Sequence, residues 1–340
     1  MVHLATLRSL PNARVTSLAD TDPVRLEMAR SQFPGAQLFS DYRELLSQAD
    51  IEAVVICLPN ALHAEAAILA LEQGKHVYLE KPLAIDLNQG LRVLEAWRRS
   101  GRVGIIGFNY RWNPLHQELR RQLQSGRIGQ LIGARSVWTT PPHRTPDWKT
   151  SRQSGGGVLL DLASHHFDLI QFWFDQPVVE VQASVRAQRF EGDTATVQLR
   201  LADGLPVQSF FSLNSIDDDR FEVYGRAGKL SLDRFNSWKI ARTDLRTQSI
   251  LRRYFGRAIS SLPYARFAVA KLRAPHCEPS FATALGEFVA AAQTGRQIQP
   301  DFEDAFRSLA TVVAAEESAR TGRPVRMDLE PNLSLGKAAS

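Results

Sequence analysis

Cysteine is scarce in this 340-residue chain: Cys57 and Cys277 stand 220 positions apart, with no C-x-x-C spacing. That excludes a disulfide framework and a thiolate metal site, and Cys57, inside an apolar run, is expected to be a buried core residue. Long apolar runs are lacking too. The longest helix-like stretch, residues 158–174, is interrupted by Asp161, His165, His166 and Asp168, so no run of about 18 uncharged residues exists to span a bilayer. The first twenty residues carry Arg8, Arg14 and Asp20 in place of a compact apolar block with a small-residue cleavage site. This argues against a secretory signal and for a cytoplasmic protein. The eight histidines form no spaced ligand set, so no metal is expected. Internal repeats and low-complexity tracts are absent.

What is present suits a large core. The chain is 44% hydrophobic, 23% charged and 9% aromatic, a length and composition that suggest about two domains. The net charge of +5 is uneven: residues 1–110 hold 11 basic and 12 acidic side chains, whereas residues 242–273 hold eight basic ones against Asp244 alone. That basic segment mixes Arg252, Arg253, Arg257, Arg266, Lys271 and Arg273 with Tyr and Phe, and is expected to be a peripheral amphipathic excursion. A substrate phosphate is one possible contact, and a solvated or oligomer-contacting insertion the commoner outcome. Neither a nucleic-acid partner nor a membrane span is expected.

The first 110 residues alternate short β-branched runs, at 14–19, 53–58, 76–79 and 103–108, with amphipathic helices at 23–32, 61–73 and 86–99. Asp22 with Pro23 opens the first helix; Gly74 and Gly101 close the other two. Such alternation calls for a parallel sheet covered by helices, an α/β Rossmann-type dinucleotide-binding domain. After Pro114 the texture changes to a helix ending at Gln124, then long alternating strands near 131–140, 178–188, 194–201, 207–213, 220–224 and 229–232. With helices at 158–174, 280–294 and 302–321, this reads as an α+β domain with a large, mostly antiparallel open sheet and helices on one face. The expected division is 1–112, 113–330 and a tail at 331–340. The uncovered sheet face is expected to mediate self-association.

Two segments carry chemistry. Glu80-Lys81-Pro82 stands at the carboxyl end of a parallel strand, where open α/β sheets bind ligands; a lysine there can stabilise a developing alkoxide or be a solvated edge. The run from Gly155 through Gly157 permits close backbone approach to a ligand, and the helix behind it sets Asp161 and His165 four apart on one face. That pair is either a general acid/base unit or a surface helix pair, and His166, about 100° away, reads as packing. Asp20, between strand and helix, can accept hydrogen bonds from an adenosine ribose and repel a 2′-phosphate, which favours NAD without excluding NADP.

Taken in order, Ala19-Asp20, Leu58-Pro59-Asn60 with His63, Gly74-Lys75-His76-Val77, Glu80-Lys81-Pro82, Asn109-Tyr110-Arg111, Ile128-Gly129, the glycine run with Asp161 and His165, and Glu317-Ser318 resemble the Gfo/Idh/MocA oxidoreductases. The resemblance implies that Lys81, Asp161 and His165 are catalytic. His165 would exchange the proton of a substrate hydroxyl, with Lys81 polarising the reacting oxygen. Pro59, Asn60, His63 and Glu80 would line the nicotinamide half of NAD, with Asn109 and Arg111 beside a sugar-like or cyclitol substrate. His63 can alternatively be a helix-face residue, and Arg111 a salt bridge between domains. Homodimers or homotetramers are implied. The family begins with a strand and a G-x-G-x-x-G turn that receives the pyrophosphate, whereas this chain starts just past that position. The first strand is therefore expected to be missing, with an upstream start more probable than a working enzyme without the loop. The rival reading is a non-catalytic dinucleotide-responsive binding or regulatory protein, or the product of a truncated gene.

Overall fold

The computed structural model describes residues 2–47, 50–142, 145–244, 278 and 280–327. Most of the basic segment, the tail from 331 and Cys277 lie outside the described residues.

In the amino-terminal part, α1 (Val2–Ser9) leads into β1 (Ser17–Ala19), α2 (Pro23–Gln32), β2 (Gln37–Phe39), α3 (Tyr42–Leu46), β3 (Ala53–Ile56), α4 (His63–Glu72), β4 (His76–Leu79), α5 (Leu87–Ser100) and β5 (Gly104–Ile106). The helix ends follow their capping chemistry. The Asp22 carboxylate accepts from the backbone N–H groups of Val24 and Arg25 at the start of α2, Asp86 accepts from Gln89 N–H at the start of α5, and Gly101 (φ 62°) ends α5 in the left-handed region. All strand pairs are parallel, β1 with β2 in one sheet and β3–β4–β5 in another. β3 is thus an edge strand. Cys57, just beyond it, is exposed, a correction to the expectation of a buried cysteine: among the described residues no strand pairs along that edge to cover it.

The second part runs through α6 (Pro114–Gln124), β6 (Leu131–Thr139), α7 (Ser164–Phe174), β7 (Val178–Arg186), β8 (Thr194–Leu201), β9 (Pro206–Ser212), β10 (Asp218–Gly225), β11 (Gly228–Asp233) and β12 (Ala241–Asp244), then α8 (Ser280–Thr294), α9 (Phe302–Thr321) and β13 (Val325–Arg326). Eight strands form one sheet in the order β12-β11-β10-β6-β9-β8-β7-β13, antiparallel except for β6 beside β9. Alternation sends Val197, Leu199, Val207, Phe211, Phe221 and Val223 into the core, while Gln182, Gln198, Gln208 and Phe210 face outward.

The division by chain order does not follow the packing at the carboxyl-terminal end. α8 buries Ala284, Leu285, Phe288 and Ala291 against Tyr78, Val103 and Ile105 of the first domain's sheet, and Ile106 N–H donates to Pro300 O at 3.1 Å. α9 is held by a capping box of Asp301 and Asp304. It sends Phe302, Ala305, Leu309 and Val312 into a core cluster shared by both domains, so the two domains meet across a single apolar interior.

Candidate active site

Lys81 follows β4 by two residues, in a segment fixed by Glu80 N–H donating to Ile56 O (2.9 Å). Its ammonium reaches across to the second domain. Nζ donates to the main-chain O of Asp161 at 2.6 Å and to its Oδ1 at 2.9 Å. Asp161 lies in a π-helical turn, Leu159–Ala163, ahead of α7; this corrects the expectation of a regular helix from 158. Single π turns recur at functional sites, where the widened turn re-aims a side chain.

A second lysine, which sequence reasoning missed, completes the cluster. Lys149, in the short turn Asp147–Lys149, sits 3.1 Å from both Oδ1 and Oδ2 of Asp161. Burial alone would raise the Asp161 pKa, but the charges of Lys81 and then Lys149 outweigh it and hold the carboxylate well below its usual range.

His165 is buried, its ring packed against Tyr110 (4.7 Å between centroids), Trp138 (5.5 Å) and Phe108 (5.7 Å), and its Nδ1 has no hydrogen-bond partner among the described residues. Desolvation first, and the charge of Lys81 second, push its pKa well below the ordinary value, against a smaller opposing pull from Asp161. The imidazole is therefore neutral at neutral pH, the form that can take a proton from a bound hydroxyl. His166, as expected from its angle, packs inward: it stacks on Trp138 and lies 3.3 Å from Asp219, whose other oxygen accepts from Arg234 at 2.6 Å.

The remaining residues divide. Asp20 follows β1, partly exposed, with Oδ1 accepting from Asp22 N–H at 2.9 Å and Arg25 3.8 Å from Oδ2. Its carboxylate therefore stands at a strand's carboxyl end, the place for an adenosine ribose. Glu80 lies 2.7 Å from His3 Nε2 and fills the space beside Gly107, where a Cβ would come within 2.7 Å of its carboxylate. Pro59 is partly exposed ahead of the turn Asn60–Leu62. These groups are compatible with NAD lying along the carboxyl ends of β1, β3 and β4: Asp20 would hold the ribose, and Pro59 and Glu80 would flank the nicotinamide end.

Four residues expected beside the ligand have partners within the protein, and for Arg111 these are the inter-domain ion pairs that the sequence left open as its alternative. Asn60 is buried, its Nδ2 donating to Gly155 O at 2.7 Å. The His63 ring lies between Pro82 O (2.7 Å) and Leu58 O (2.8 Å), pinning two loops to each other. Asn109 donates to Ser280 Oγ at 2.9 Å. Arg111 binds both oxygens of Asp168, at 2.6 and 2.9 Å, and Asp304 at 3.1 Å. All four hold partners inside the protein and so shape the join between domains.

Residues 1–110 match the family model described as oxidoreductase family, NAD-binding Rossmann fold, and residues 116–231 match the GFO/IDH/MocA C-terminal domain. Inositol 2-dehydrogenase 2 of Saccharopolyspora erythraea is 29% identical, covering 98% of this chain and 94% of its own. Myo-inositol 2-dehydrogenase of Thermotoga maritima is 27% identical over 72% of this chain and 75% of its own. In fold, the structure of a levoglucosan dehydrogenase in complex with NADH and levoglucosan superposes with a TM-score of 0.80 at 21% identity, covering 95% of each chain.

Proposed function

Since the chain belongs to the Gfo/Idh/MocA family of oxidoreductases, we propose that it is an NAD-dependent dehydrogenase or reductase of a secondary alcohol or ketone on a sugar, cyclitol or sugar derivative. The observation that carries this reading is the contact of Lys81 with Asp161 beside the neutral, buried His165. NAD, when bound, supplies the hydride acceptor. His165 takes the hydroxyl proton, and the ammonium of Lys81 donates to the reacting oxygen, so negative charge developing there meets a fixed donor. The Asp161 carboxylate, ionised between two cations, keeps the Lys81 donor in place. Aromatic walls from Tyr110, Trp138 and Phe108 exclude water from the imidazole. Asp20, as an acceptor at the ribose position, favours NAD over its 2′-phosphate.

Two inositol dehydrogenases among the relatives make cyclitols the first compounds to try. A screen of inositols, anhydrosugars and aldoses with NAD, read at the reduced-nicotinamide absorbance band, tests the reading. Reduction of NAD with one of them supports it, and no reduction with any, by protein that binds NAD, contradicts it. The outward face of the eight-stranded sheet is the surface for a second copy. Register places Arg135 beside Glu222 and Arg220 beside Asp233, charges of both signs that a two-fold partner can pair. Light scattering should give a dimer or tetramer, and a mass near 38 kDa would reject it.

A further inference from the structure

Asp161 is the most heavily contacted carboxylate of the cluster. Lys81 approaches from the end of β4, Lys149 from the turn Asp147–Lys149, His165 lies four residues on, and Tyr110 is near enough for the carboxylate charge to act on its phenol. Lys81 uses its ammonium on two acceptors of the same residue, the main-chain O and Oδ1, which leaves one of its three hydrogens for another group. Lys149 meets both carboxylate oxygens. Oδ1 therefore carries two cations and Oδ2 one.

The chain is folded to bring Lys149 there. A Cβ on Gly156 would lie 2.1 Å from Lys149 O and 2.9 Å from Ser151 O, so only glycine lets the 149–151 backbone cross at this height. Gly156 N–H donates to Ser151 O at 2.8 Å, Asn60 holds Gly155 O, and the Arg152 guanidinium binds Ile85 O at 2.7 Å and pairs with Glu316. Three anchors, two of them on the first domain, thus fix a loop that carries one lysine to one carboxylate. Sequence reading took the glycines as room for a ligand; at Gly156 the room is taken by the protein's own backbone.

We propose that Lys149 is a positioning residue of the reaction: it clamps the Asp161 carboxylate so that Asp161 stays ionised and fixed, the remaining ammonium hydrogen of Lys81 is held toward the substrate oxygen, and proton transfer falls to His165 alone. The proposal rests on the oxidoreductase reading for its chemistry. Its geometry stands apart from that reading. Without Lys149, Asp161 keeps one cation, regains torsional freedom and carries Lys81 with it.

The test uses the full chain with Lys149→Met and Lys149→Arg, each checked for an unchanged melting profile. Carbon NMR of aspartate-labelled protein, with the Asp161 signal assigned through Asp161→Asn, reads the clamp directly. Losing one close cation should raise the Asp161 titration in Lys149→Met by about one pH unit or more, and Lys149→Arg should restore it. With a sugar or cyclitol that the unaltered protein oxidises, Lys149→Met should lower kcat about 10- to 100-fold with KM within about threefold, and Lys149→Arg should recover most of the loss. An Asp161 titration identical in Lys149→Met and the unaltered protein overturns the clamp, as does an unchanged kcat. If the titration moves as expected while the unaltered protein oxidises nothing, the oxidoreductase reading fails and the clamp stands.

Discussion

Helix α7 carries His165 into one cluster of buried charge and, three residues later, Asp168 into another. In the first, Lys81, Asp161 and Lys149 gather near an imidazole whose Nδ1 has no partner among the described residues, and Lys81 has a hydrogen to spare. In the second, Arg111 is bound by Asp168 on two nitrogens and by Asp304 on the third, and Asp304 also pairs with Arg307. Both lie where the domains meet, and both draw residues from segments that resemble family motifs. The difference is saturation. All three guanidinium nitrogens of Arg111 face carboxylate oxygens, which leaves little with which to bind a ligand, whereas a partly matched network keeps chemical capacity at the expense of stability. Burial and charge alone would have ranked Arg111 and Lys81 together.

The largest effect should come from the open cluster. Lys81→Met should lower turnover by roughly two to four orders of magnitude, with a urea midpoint close to that of the unaltered protein. Steady-state kinetics beside equilibrium unfolding checks both halves, and near-normal turnover would break the comparison at its catalytic side.

The closed cluster should respond the opposite way. Arg111→Met leaves the Asp168 carboxylate buried without its cation and Asp304 with Arg307 alone, a loss of about 3 to 5 kcal/mol of stability. Turnover per folded molecule should be nearly kept, and a fall in kcat greater than the fall in folded fraction would show that Arg111 also acts on substrate.

A smaller effect is set by pH, at a buried histidine outside both clusters. His116 is fully buried, stacked between Tyr110 and Trp173 with neither ring nitrogen bonded among the described residues, and desolvation drives its pKa down to about 3. The folded pKa lies below the unfolded value of about 6.5, so the unfolded chain takes up the proton first. The contribution to stability is whole above that pH and is lost as the pH falls below it, at about 1.4 kcal/mol per pH unit for one proton. His165 shifts in the same direction. The Asp161 carboxylate, held low, begins to cost stability only below its ordinary range near 4. Urea midpoints from pH 7 to 5 should therefore decline, and His116→Leu should flatten that decline by about one proton's worth; an equal slope would place the acid sensitivity elsewhere.

What was legible in the sequence was local. Glu80-Lys81-Pro82 sits at the end of an apolar strand, and Asp161 and His165 share one helical stretch behind a glycine run, so spacing along the chain placed each near the carboxyl end of a sheet or on one face. The long strands and the capped helices were legible for the same reason. β2 and α3, three and five residues long, are too short for any period to show. Lys149 was not legible, because its place depends on the backbone folding across Gly156, and a lone lysine in a polar loop gives no periodic signal. Its one trace is its position just ahead of the glycine run. Arg111, Asn109, Asn60 and His63 were placed beside ligand by the family resemblance, with a helix-face role for His63 and a salt bridge for Arg111 left open. Their acceptors lie 57, 171, 95 and 19 residues away, and only the folded chain shows those donors already taken.

The most direct test compares two neutral substitutions one turn apart on α7, His165→Asn and Asp168→Asn, in kcat and in urea midpoint, on the sugar or cyclitol that the unaltered protein oxidises with NAD. The account predicts that His165→Asn abolishes most turnover and keeps the midpoint, while Asp168→Asn lowers the midpoint and keeps turnover per folded molecule. Loss of both properties in both variants, or the reverse assignment, would contradict it.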